Sequence, residues 1–359
     1  MIKILKFIIS VKTILKINFI IIAKKIQKKK IIIFYHPAKD IFAINYYLKS
    51  LFKFDKSYEF LILSQEFKAY SGNEFFLVDR FLSMIIHSDF FITNNVCDYF
   101  PFISKRIYIH HDIYDTPLTS KKKEAGLKQR LLKYNFVLVS SDLGKIVFEN
   151  LFKQEQHKPE IISIGYLKLD FLIQKYKQKK NRSIVIAITN FNAFRDFSCI
   201  EYIVPLIDLL LKSTNYKIFF RPHPSNQSDK KVIDILKKFR NKKRFYLDKS
   251  KNYAKVYFNS SLMITDLSGT AYTYAFLTKN PVIFFSPNEH LLKTKGYDKI
   301  NFFIDRNQIG KVYQKIEMFK KLANFDQKIY KKKILKLINK RDINIGSSKD
   351  KFQKFIKNN

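Results

Sequence analysis

Residues 262–285, LMITDLSGTAYTYAFLTKNPVIFF, decide the predicted fold of this chain. The stretch starts as an apolar run at 262–265 and, after a polar turn, continues as a helical pattern at 271–278. Asn280-Pro281 ends that helix, because proline cannot continue it, and the β-rich run VIFF follows at 282–285. Strand, tight turn, helix and strand in this order form the repeating unit of a parallel α/β sheet.

The turn inside this stretch carries Asp266, Ser268, Gly269 and Thr270. Gly269 permits a backbone turn that other residues resist, and Ser268 or Thr270 is expected to cap the helix. Free backbone N–H groups and the helix dipole form an anion site at such a helix end, and open α/β sheets bind ligands there. The pattern therefore predicts a ligand site, and an ordinary capped turn is the alternative explanation of the same residues.

The same alternation of strands and helices continues on both sides of the stretch. The first set of predicted strands is 31–35, 58–64, 75–78, 90–94, 107–111, 136–140 and 161–166, with a helical pattern at 40–52. A charged break, LIQKYKQKKNR at 172–182, precedes a second set at 183–189, 217–220, 245–247, 262–265 and 282–285. Together with the length of 359 residues, this predicts two α/β lobes with doubly wound sheets. The predicted boundaries are 1–25 for an N-terminal helix, 30–175 and 183–310 for the lobes, and 311–359 for C-terminal helices.

The composition favours a globular protein that binds polyanions. Hydrophobic residues make up 47% of the chain, and the formal net charge is +37. Such a charge attracts nucleic acid, anionic lipid or phosphate-rich substrates. Because the lysines are spread along the chain and no nucleic-acid-binding module is present, a nucleic-acid partner is not expected. Cys97 and Cys199 form neither a disulfide framework nor a metal cage, and indicate a reducing compartment.

Residues 1–23, MIKILKFIISVKTILKINFIIIA, predict a basic amphipathic helix. The residues Lys3, Lys6, Ser10, Thr13 and Lys16 recur at steps of three and four, which places them in one polar stripe on a helix. A membrane-spanning helix needs about 20 nearly uninterrupted apolar residues, and the lysines argue against that. The helix is therefore expected to lie in an anionic membrane surface, or alternatively to pack on its own domain.

The strand predicted at 217–220 runs into Arg221-Pro222-His223-Pro224. Two prolines restrict the backbone on either side of one imidazole, which suits a histidine that has to be aimed. An adjacent arginine suits a phosphate. A single histidine is more often structural, but the rigid frame and the position at a strand end favour a functional role for His223.

The strand predicted at 107–111 ends in His110-His111-Asp112. Alternation along a strand sends the two imidazoles to opposite faces, so that one meets a ligand while the other packs. Asp112 or Asp115 is expected to orient the imidazole of a general base. No second set of ligands with metal-binding spacing accompanies this cluster.

Other candidate residues also follow predicted strands. Arg195, in NFNAFRD at 190–196, is a further phosphate partner after the strand at 183–189. Because the candidates all lie at predicted carboxyl ends of strands in both lobes, a ligand held between the lobes explains them together. The sequence lacks GxGxxG, GxxxxGK and Asp-x-Asp motifs, which favours nucleotide-diphosphate chemistry without a metal or other cofactor.

Several motifs together resemble the CDP-glycerol glycerophosphotransferase family of wall teichoic acid and capsule assembly. In chain order they are a strand ending in His, VSSD at 139–142, IISIGYLKLD at 161–170, FFRPHP at 219–224, the stretch at 264–285 and INIGSS at 343–348. RPHP and the TDxSG…KNPVIFF stretch are the most specific of these, and the resemblance covers about residues 105–350. The sequence has His-His-Asp where many members have His-Gly.

The resemblance implies a GT-B-like fold, with two Rossmann-like domains that face a cleft. It implies an acceptor domain at 30–175, a nucleotide-donor domain at 183–310 and a peripheral location on the cytoplasmic face of the plasma membrane. Members transfer glycerol phosphate, or a related alditol phosphate, from a CDP-linked donor to a hydroxyl of a lipid-linked polymer. Carried over, the base is His111 or His110, and the donor site consists of Arg221, His223, Asp266, Ser268, Gly269 and Thr270.

Two other functions account for parts of the same pattern. A GT-B glycosyltransferase with a nucleotide-sugar donor, acting in capsule or lipooligosaccharide synthesis, would use the same phosphate site. A polyanion-binding protein without enzymatic activity would use the charge of +37, and its binding would follow salt concentration alone. The donor identity distinguishes the two enzymes.

Overall fold

A computed structural model of the chain describes residues 2–36, 55–64, 74–76, 81–110, 113, 121–177, 182–250, 252–294 and 296–359. The described residues belong to two compact units, the first from 1–112, 120–168 and 344–359, the second from 113–119 and 169–343. Each unit contains one sheet with parallel strands. The predicted α/β class is therefore confirmed.

In the described residues the first sheet has seven strands, in the order β3-β2-β1-β4-β5-β6-β7. These strands are Lys30–His36 (β1), Tyr58–Ser64 (β2), Glu74–Phe76 (β3), Phe90–Thr93 (β4), Lys105–Ile109 (β5), Phe136–Val139 (β6) and Glu160–Ser163 (β7). The second sheet has six strands in the order β10-β9-β8-β11-β12-β13. They are Ser183–Ala187 (β8), Lys217–Arg221 (β9), Phe245–Leu247 (β10), Leu262–Thr265 (β11), Val282–Phe285 (β12) and Gly310–Tyr313 (β13).

The helices connect and flank these strands. In chain order the described α-helices are Ile2–Ile26 (α1), Lys121–Leu131 (α2), Asp142–Leu151 (α3), Leu167–Lys175 (α4), Ile203–Ser213 (α5), Lys230–Phe239 (α6), Ala254–Asn259 (α7), Thr270–Thr278 (α8), Glu289–Thr294 (α9), Asn301–Ile304 (α10), Arg306–Ile309 (α11), Lys328–Lys340 (α12) and Ser348–Asn358 (α13). Short 3₁₀ helices are Phe81–Ile85, Arg195–Phe197, Ile200–Tyr202, Pro224–Asn226, Tyr297–Lys299 and Ile316–Asn324.

The strands form where the sequence has short continuous apolar runs. In β1, Ile31, Ile32, Ile33, Phe34 and Tyr35 are fully buried, and every residue of β11 and β12 is buried. Such runs are typical of parallel strands that are covered on both faces, where an alternating pattern would leave one face polar. Parallel strands align their carboxyl ends, so that the residues following the strands of each sheet lie along one edge.

Two parts of the sequence interpretation differ from the structure. The predicted helical tail at 311–359 begins with β13, an edge strand that pairs with β12 from Gly310 to Tyr313. The apolar pattern misses this strand because it is short and its Lys311 is exposed at the sheet edge. The predicted break at 172–182 is helical at its start, since α4 extends to Lys175.

The two family-like segments at 161–170 and 343–348 meet in the first unit. Asn344 Nδ2 donates to Ser163 Oγ at 3.0 Å. Gly165 has φ +92°, and a Cβ there would lie 2.4 Å from the Asn344 carbonyl oxygen. Only glycine combines that backbone conformation with that close approach. These motifs thus join the C-terminal segment, which leads into α13, to the end of the first sheet.

Helix α1 packs on the first unit with one face and exposes a second apolar face. Its buried face is formed by Ser10, Ile14, Ile17 and Ile21, at helical spacing. The large apolar residues Ile8, Leu15, Phe19, Ile22 and Ile26 are exposed on the other side. The expectation that Ser10 lies on a polar surface stripe was wrong, because Ser10 shares its face with the isoleucines that anchor the helix. None of the described helices is both long and apolar enough to cross a membrane.

Candidate active site

The candidate site lies at the carboxyl edge of the second sheet. There β8 is flanked by β9 on one side and by β11 on the other, and all three strands run parallel. Because neighbouring strands lie about 5 Å apart, the segments that follow them are close together. The predicted residues on these segments are Arg195, Arg221, His223, Asp266, Ser268, Gly269 and Thr270. The topology thus gathers residues that are far apart in the sequence.

Asp266 binds backbone N–H groups of its own unit. Its side chain is 4% exposed, Oδ1 accepts the N–H groups of Thr189 and Leu267 at 2.8 Å, and Oδ2 accepts that of Cys199 at 3.3 Å. Burial raises the pKa of Asp266 to about 6, although these three donors favour the charged carboxylate. Asp266 therefore holds both ends of the loop at 189–199 against the end of β11.

The N-terminus of α8 is partly exposed and has no side-chain cap. Its N-cap residue is Gly269, with φ −57° and ψ −20°. Any residue adopts this conformation, so the expectation that the turn needs a glycine was wrong. The expectation that Ser268 or Thr270 caps the helix was wrong: the Thr270 hydroxyl pairs with the Tyr257 hydroxyl, and Ser268 contributes its carbonyl oxygen to the Ala271 N–H at 3.1 Å. Residues 271–278 are all buried. The helix dipole therefore ends at one accessible point, where it favours an anion.

Arg221 forms a buried ion pair at the end of β9. Its Nη1 donates to Asp248 Oδ2 at 2.5 Å and to the Ser250 carbonyl oxygen at 2.9 Å. The guanidinium carbon lies 5.7 Å from the centre of the Tyr253 ring. Asp248 Oδ1 also accepts the N–H of Ser250 at 3.0 Å. Arg221 thus shapes the segment after β10, at the side of the candidate site.

His223 has a defined tautomer because of its local backbone. It is the N-cap of the 3₁₀ helix Pro224–Asn226, and its Nδ1 accepts the N–H of Ser225 at 3.2 Å. An accepting Nδ1 carries no proton, so the proton of the neutral ring is on Nε2. The side chain is partly exposed. Pro224 stands at the first position of this turn, where its fixed φ is favourable.

Arg195 lies on the loop that Asp266 anchors. It begins the 3₁₀ helix Arg195–Phe197, and its side chain is exposed. Buried Phe197 packs on Tyr297, with ring centres 5.5 Å apart, and Asn288 Nδ2 donates to the Asp196 carbonyl oxygen at 2.8 Å. These contacts hold the backbone on both sides of an exposed guanidinium at the sheet edge.

In the first unit, His110 follows β5 and is buried. It is 4% exposed, its ring centre lies 5.0 Å from that of Phe148, and Tyr108 Oη lies 3.4 Å from His110 Nδ1. These contacts are typical of a packed imidazole. His111, Asp112 and Asp115 lie outside the described residues. Of the two histidines, the structure therefore places His110 in the core.

The sequence interpretation missed the groups that support the site from β10 and α7. Asp248 pairs with Arg221, and Tyr257 pairs with Thr270. Burial raises the pKa of the Tyr253 and Tyr257 phenols. The one sequence signal was an acidic residue directly after the strand at 245–247. In the described parts of the chain, no three His, Cys, Asp or Glu side chains are grouped so as to hold a metal ion.

Comparison with known proteins identifies relatives by sequence. The family described as "CDP-Glycerol:Poly(glycerophosphate) glycerophosphotransferase" matches residues 46–341. The minor teichoic acid biosynthesis protein GgaB of Bacillus subtilis (strain 168) is 29% identical over 141 residues, which are 38% of this chain and 14% of GgaB. The chain therefore matches only a small part of the length of that relative.

Solved structures share the fold. A TagF wall teichoic acid polymerase variant soaked with CDPG has a TM-score of 0.67 at 14% identity, covering 98% of this chain and 96% of that chain. UDP-GlcNAc 2-epimerase from Methanocaldococcus jannaschii, with UDP-GlcNAc and UDP, has a TM-score of 0.58 at 10% identity, covering 92% and 100%. The GT-B-like class, with two Rossmann-like units, is confirmed.

Proposed function

The chain belongs to the CDP-glycerol:poly(glycerophosphate) glycerophosphotransferase family, and we propose that it transfers glycerol phosphate or a related alditol phosphate from a CDP-linked donor to a hydroxyl of a membrane-linked cell-surface polymer. The observation that carries this proposal is the edge of the second sheet. There the uncapped N-terminus of α8 and the imidazole of His223 follow strands separated only by β8. Both lie within the region that matches the family.

The proposed reaction is a displacement at the β-phosphorus of the donor. The acceptor hydroxyl loses its proton to a base, its oxygen forms a new bond to the β-phosphorus, and the bond from that phosphorus to the bridging oxygen breaks. CMP leaves with the bridging oxygen and its electron pair. Such transfers depend mainly on positioning and on stabilising the charge on the phosphate oxygens.

The donor phosphates are proposed to bind three groups of the second unit. The backbone N–H groups at the start of α8 face a negative charge favourably, because the dipole of a buried helix is poorly screened. His223 donates from Nε2, since Nδ1 is occupied by the Ser225 N–H. Arg195 adds an exposed guanidinium on an anchored loop. Together these groups neutralise charge that develops on the leaving CMP.

Asp266 and Arg221 are proposed as positioning residues. Asp266 directs its carboxylate at three backbone N–H groups, so that it orders the loop that carries Arg195. Arg221 is paired with Asp248 and Ser250, so that it orders the segment after β10. Both residues would therefore affect binding of the donor phosphates through the segments they order, without touching the phosphates.

The base is proposed to be His111. His110 is packed among Tyr108 and Phe148 and is 4% exposed, which leaves His111 as the other histidine of the pair. Asp112 or Asp115 would orient its imidazole. His111→Ala is then expected to lower turnover far more than His110→Ala does, when folded protein of both variants is compared.

Peripheral attachment to the cytoplasmic face of the plasma membrane completes the proposal. The exposed apolar face of α1 supports it, with Leu15 66% and Phe19 74% exposed. Lys12 and Lys16 flank this face and are also exposed. A helix of this kind lies in an anionic membrane surface. This location would bring the site to a lipid-linked acceptor.

The test is nucleotide release from a panel of donors. CDP-glycerol, CDP-ribitol, UDP-sugars and CMP-sugars are each supplied with a membrane acceptor, and CMP and UDP are quantified. Acceptor-dependent CMP from a CDP-alditol is the expected result. UDP release, or CMP from a CMP-sugar alone, would instead make the protein a glycosyltransferase, and salt-dependent polyanion binding without turnover would make it a binding protein.

Two histidine variants sharpen this test. His223→Ala is expected to lower turnover about 100-fold or more, because it removes a donor to the developing charge. His290→Ala is the matched control, since His290 is an exposed histidine of the same unit. Both variants are checked for an unchanged unfolding transition. Wild-type turnover in a folded His223→Ala protein would contradict the site assignment.

A further inference from the structure

A large apolar groove lies at the amino edge of the first sheet. Its volume is about 1020 Å³, at the upper end of the range of about 300–1,000 Å³ for small-molecule sites. The groove is formed where β1, β4 and β5 begin, at Lys30, Phe90 and Lys105, beside the C-terminal half of α1. This edge is opposite to the carboxyl end of β5, so the groove lies at the other end of the first sheet from His110.

The groove is lined by apolar side chains that remain accessible. Ile22 and Ile26 of α1 are 61% and 79% exposed, and Ile103 is 71% exposed. The neighbouring Phe19 and Phe102 are 74% and 66% exposed. Exposed apolar side chains that adjoin in this way mark a site of interaction, because isolated ones are common but contiguous ones are not.

Contacts join the segments that carry these residues. Asn18 Nδ2 of α1 donates to the Ile85 carbonyl oxygen at 3.2 Å. The Phe102 N–H donates to the Met84 carbonyl oxygen at 3.1 Å, and the Phe81 and Tyr99 rings pack with centres 5.9 Å apart. Helix α1, the 3₁₀ helix Phe81–Ile85 and the segment at 99–103 therefore present one surface.

The rim of the groove is cationic. Lys25, Lys30 and Lys105 line it. Among the described lining residues the only carboxylate side chain is that of Asp89. Its Oδ2 accepts the Ile31 N–H at 2.6 Å, and its Oδ1 lies 3.6 Å from Lys25 Nζ. Lys105 pairs with the Asn359 carbonyl oxygen, and Lys30 lies over the Phe90 ring at 6.0 Å. Lysines around an apolar floor fit a ligand with a hydrocarbon part and an anionic head.

We propose that this groove binds an acidic phospholipid of the bilayer, with the acyl chains against Ile22, Ile26 and Ile103 and the phosphate at Lys25 and Lys30. The proposal rests on the membrane association proposed above and deepens it, since it assigns lipid selectivity to one site. An anionic phospholipid is favoured over one without net charge because the lysines of the rim lie directly beside the apolar floor.

A tryptophan introduced into the groove would report on that position alone, because the chain contains no tryptophan. Ile22→Trp places a single fluorophore in the groove, and Ile233→Trp, at an exposed isoleucine of α6, is the matched control. Full-length variants are mixed with phosphatidylcholine vesicles, with or without phosphatidylglycerol, some carrying a quencher on the acyl chain. We expect a blue shift and quenching for Ile22→Trp with phosphatidylglycerol only, and neither for Ile233→Trp.

A second measurement tests the rim. Lys25→Gln with Lys30→Gln is expected to weaken binding to phosphatidylglycerol vesicles about 25-fold, since each lysine near an anionic leaflet contributes about fivefold. Lys331→Gln with Lys332→Gln, which removes the same charge from exposed positions of α12, is expected to have little effect. If both double variants lost the same amount of vesicle affinity, binding would depend on the overall charge of the protein, and the proposed site would be overturned.

Other outcomes also decide the proposal. Vesicle binding without a shift at Ile22→Trp would place the membrane contact elsewhere and overturn the groove. A concentration-dependent shift without vesicles, together with dimers in sedimentation, would make a second copy of the chain the occupant. Because vesicle binding needs neither donor nor acceptor, failure of the nucleotide-release assay leaves these results unaffected.

Discussion

Removal of Asp248 is expected to destabilise the second unit strongly. Arg221 Nη1 lies 2.5 Å from Asp248 Oδ2, and the two side chains are 10% and 7% exposed. Loss of one partner from a buried ion pair costs about 3–5 kcal/mol, because it leaves the other charge without compensation. Nη1 keeps the Ser250 carbonyl oxygen at 2.9 Å, so we expect Asp248→Ala to cost about 3 kcal/mol, at the lower end of that range.

The assay is thermal and urea unfolding of the full chain, with hydrogen exchange of the β9 and β10 amides to assign the transition to the second unit. A loss of about 3 kcal/mol lowers the Tm of a unit of this size by about 6–12 °C. Glu201→Ala is the matched control, because Glu201 forms an exposed pair with Lys231, whose side chains are 66% and 52% exposed. Exposed pairs contribute only about 0–1 kcal/mol.

A double-mutant cycle isolates the pair itself. Arg221→Met, Asp248→Leu and the double variant are compared with the wild type. The double variant is expected to be more stable than Asp248→Leu alone, since it removes the uncompensated guanidinium. A cost below about 1 kcal/mol for Asp248→Ala, the range of exposed pairs, would refute the reasoning that the pair is desolvated.

Two further stability predictions concern the second unit. Gly310→Ala is expected to cost about 2–3 kcal/mol or more, which is typical of overpacking, because its Cβ would lie 1.6 Å from the Val282 carbonyl oxygen in the paired strand. Gly126→Ala in α2 is the control, because a Cβ there would meet nothing within 4 Å. This control is expected to stabilise the protein by about 0.5–1 kcal/mol. Equal urea midpoints for the two variants would contradict the described β12–β13 pairing. Asp266→Asn is expected to change the pH dependence of unfolding. Since burial raises the pKa of Asp266 from 3.8 to about 6, the native state binds its proton more tightly than the unfolded state does. Wild-type stability should therefore fall relative to the variant by about 2 kcal/mol between pH 4 and pH 7. If the difference in unfolding free energy between the wild type and Asp266→Asn were the same at both pH values, the native pKa of Asp266 would not be raised.

The sequence pattern predicted most of the two sheets. Runs such as 31–35 and 282–285 are apolar throughout, and a parallel strand covered on both faces needs such a run. The pattern also predicted that RPHP and the 266–270 turn follow strands, which places them at a ligand-binding edge. It missed β13, because its four residues include an exposed lysine and resemble the basic helical segments that follow.

The sequence by itself determined the fold class, the family and the residue types available at the site. The tertiary structure decided which partners those residues have, because the partners are distant in the chain. Asp266 meets the Thr189 N–H 77 residues away, and Arg221 meets Asp248 27 residues away. The family resemblance placed both residues in the donor site, and their burial and these distant partners are what support the proposal that they position neighbouring loops. Similarly, helical periodicity identified α1 as amphipathic, but only packing showed which apolar face is buried and which remains exposed.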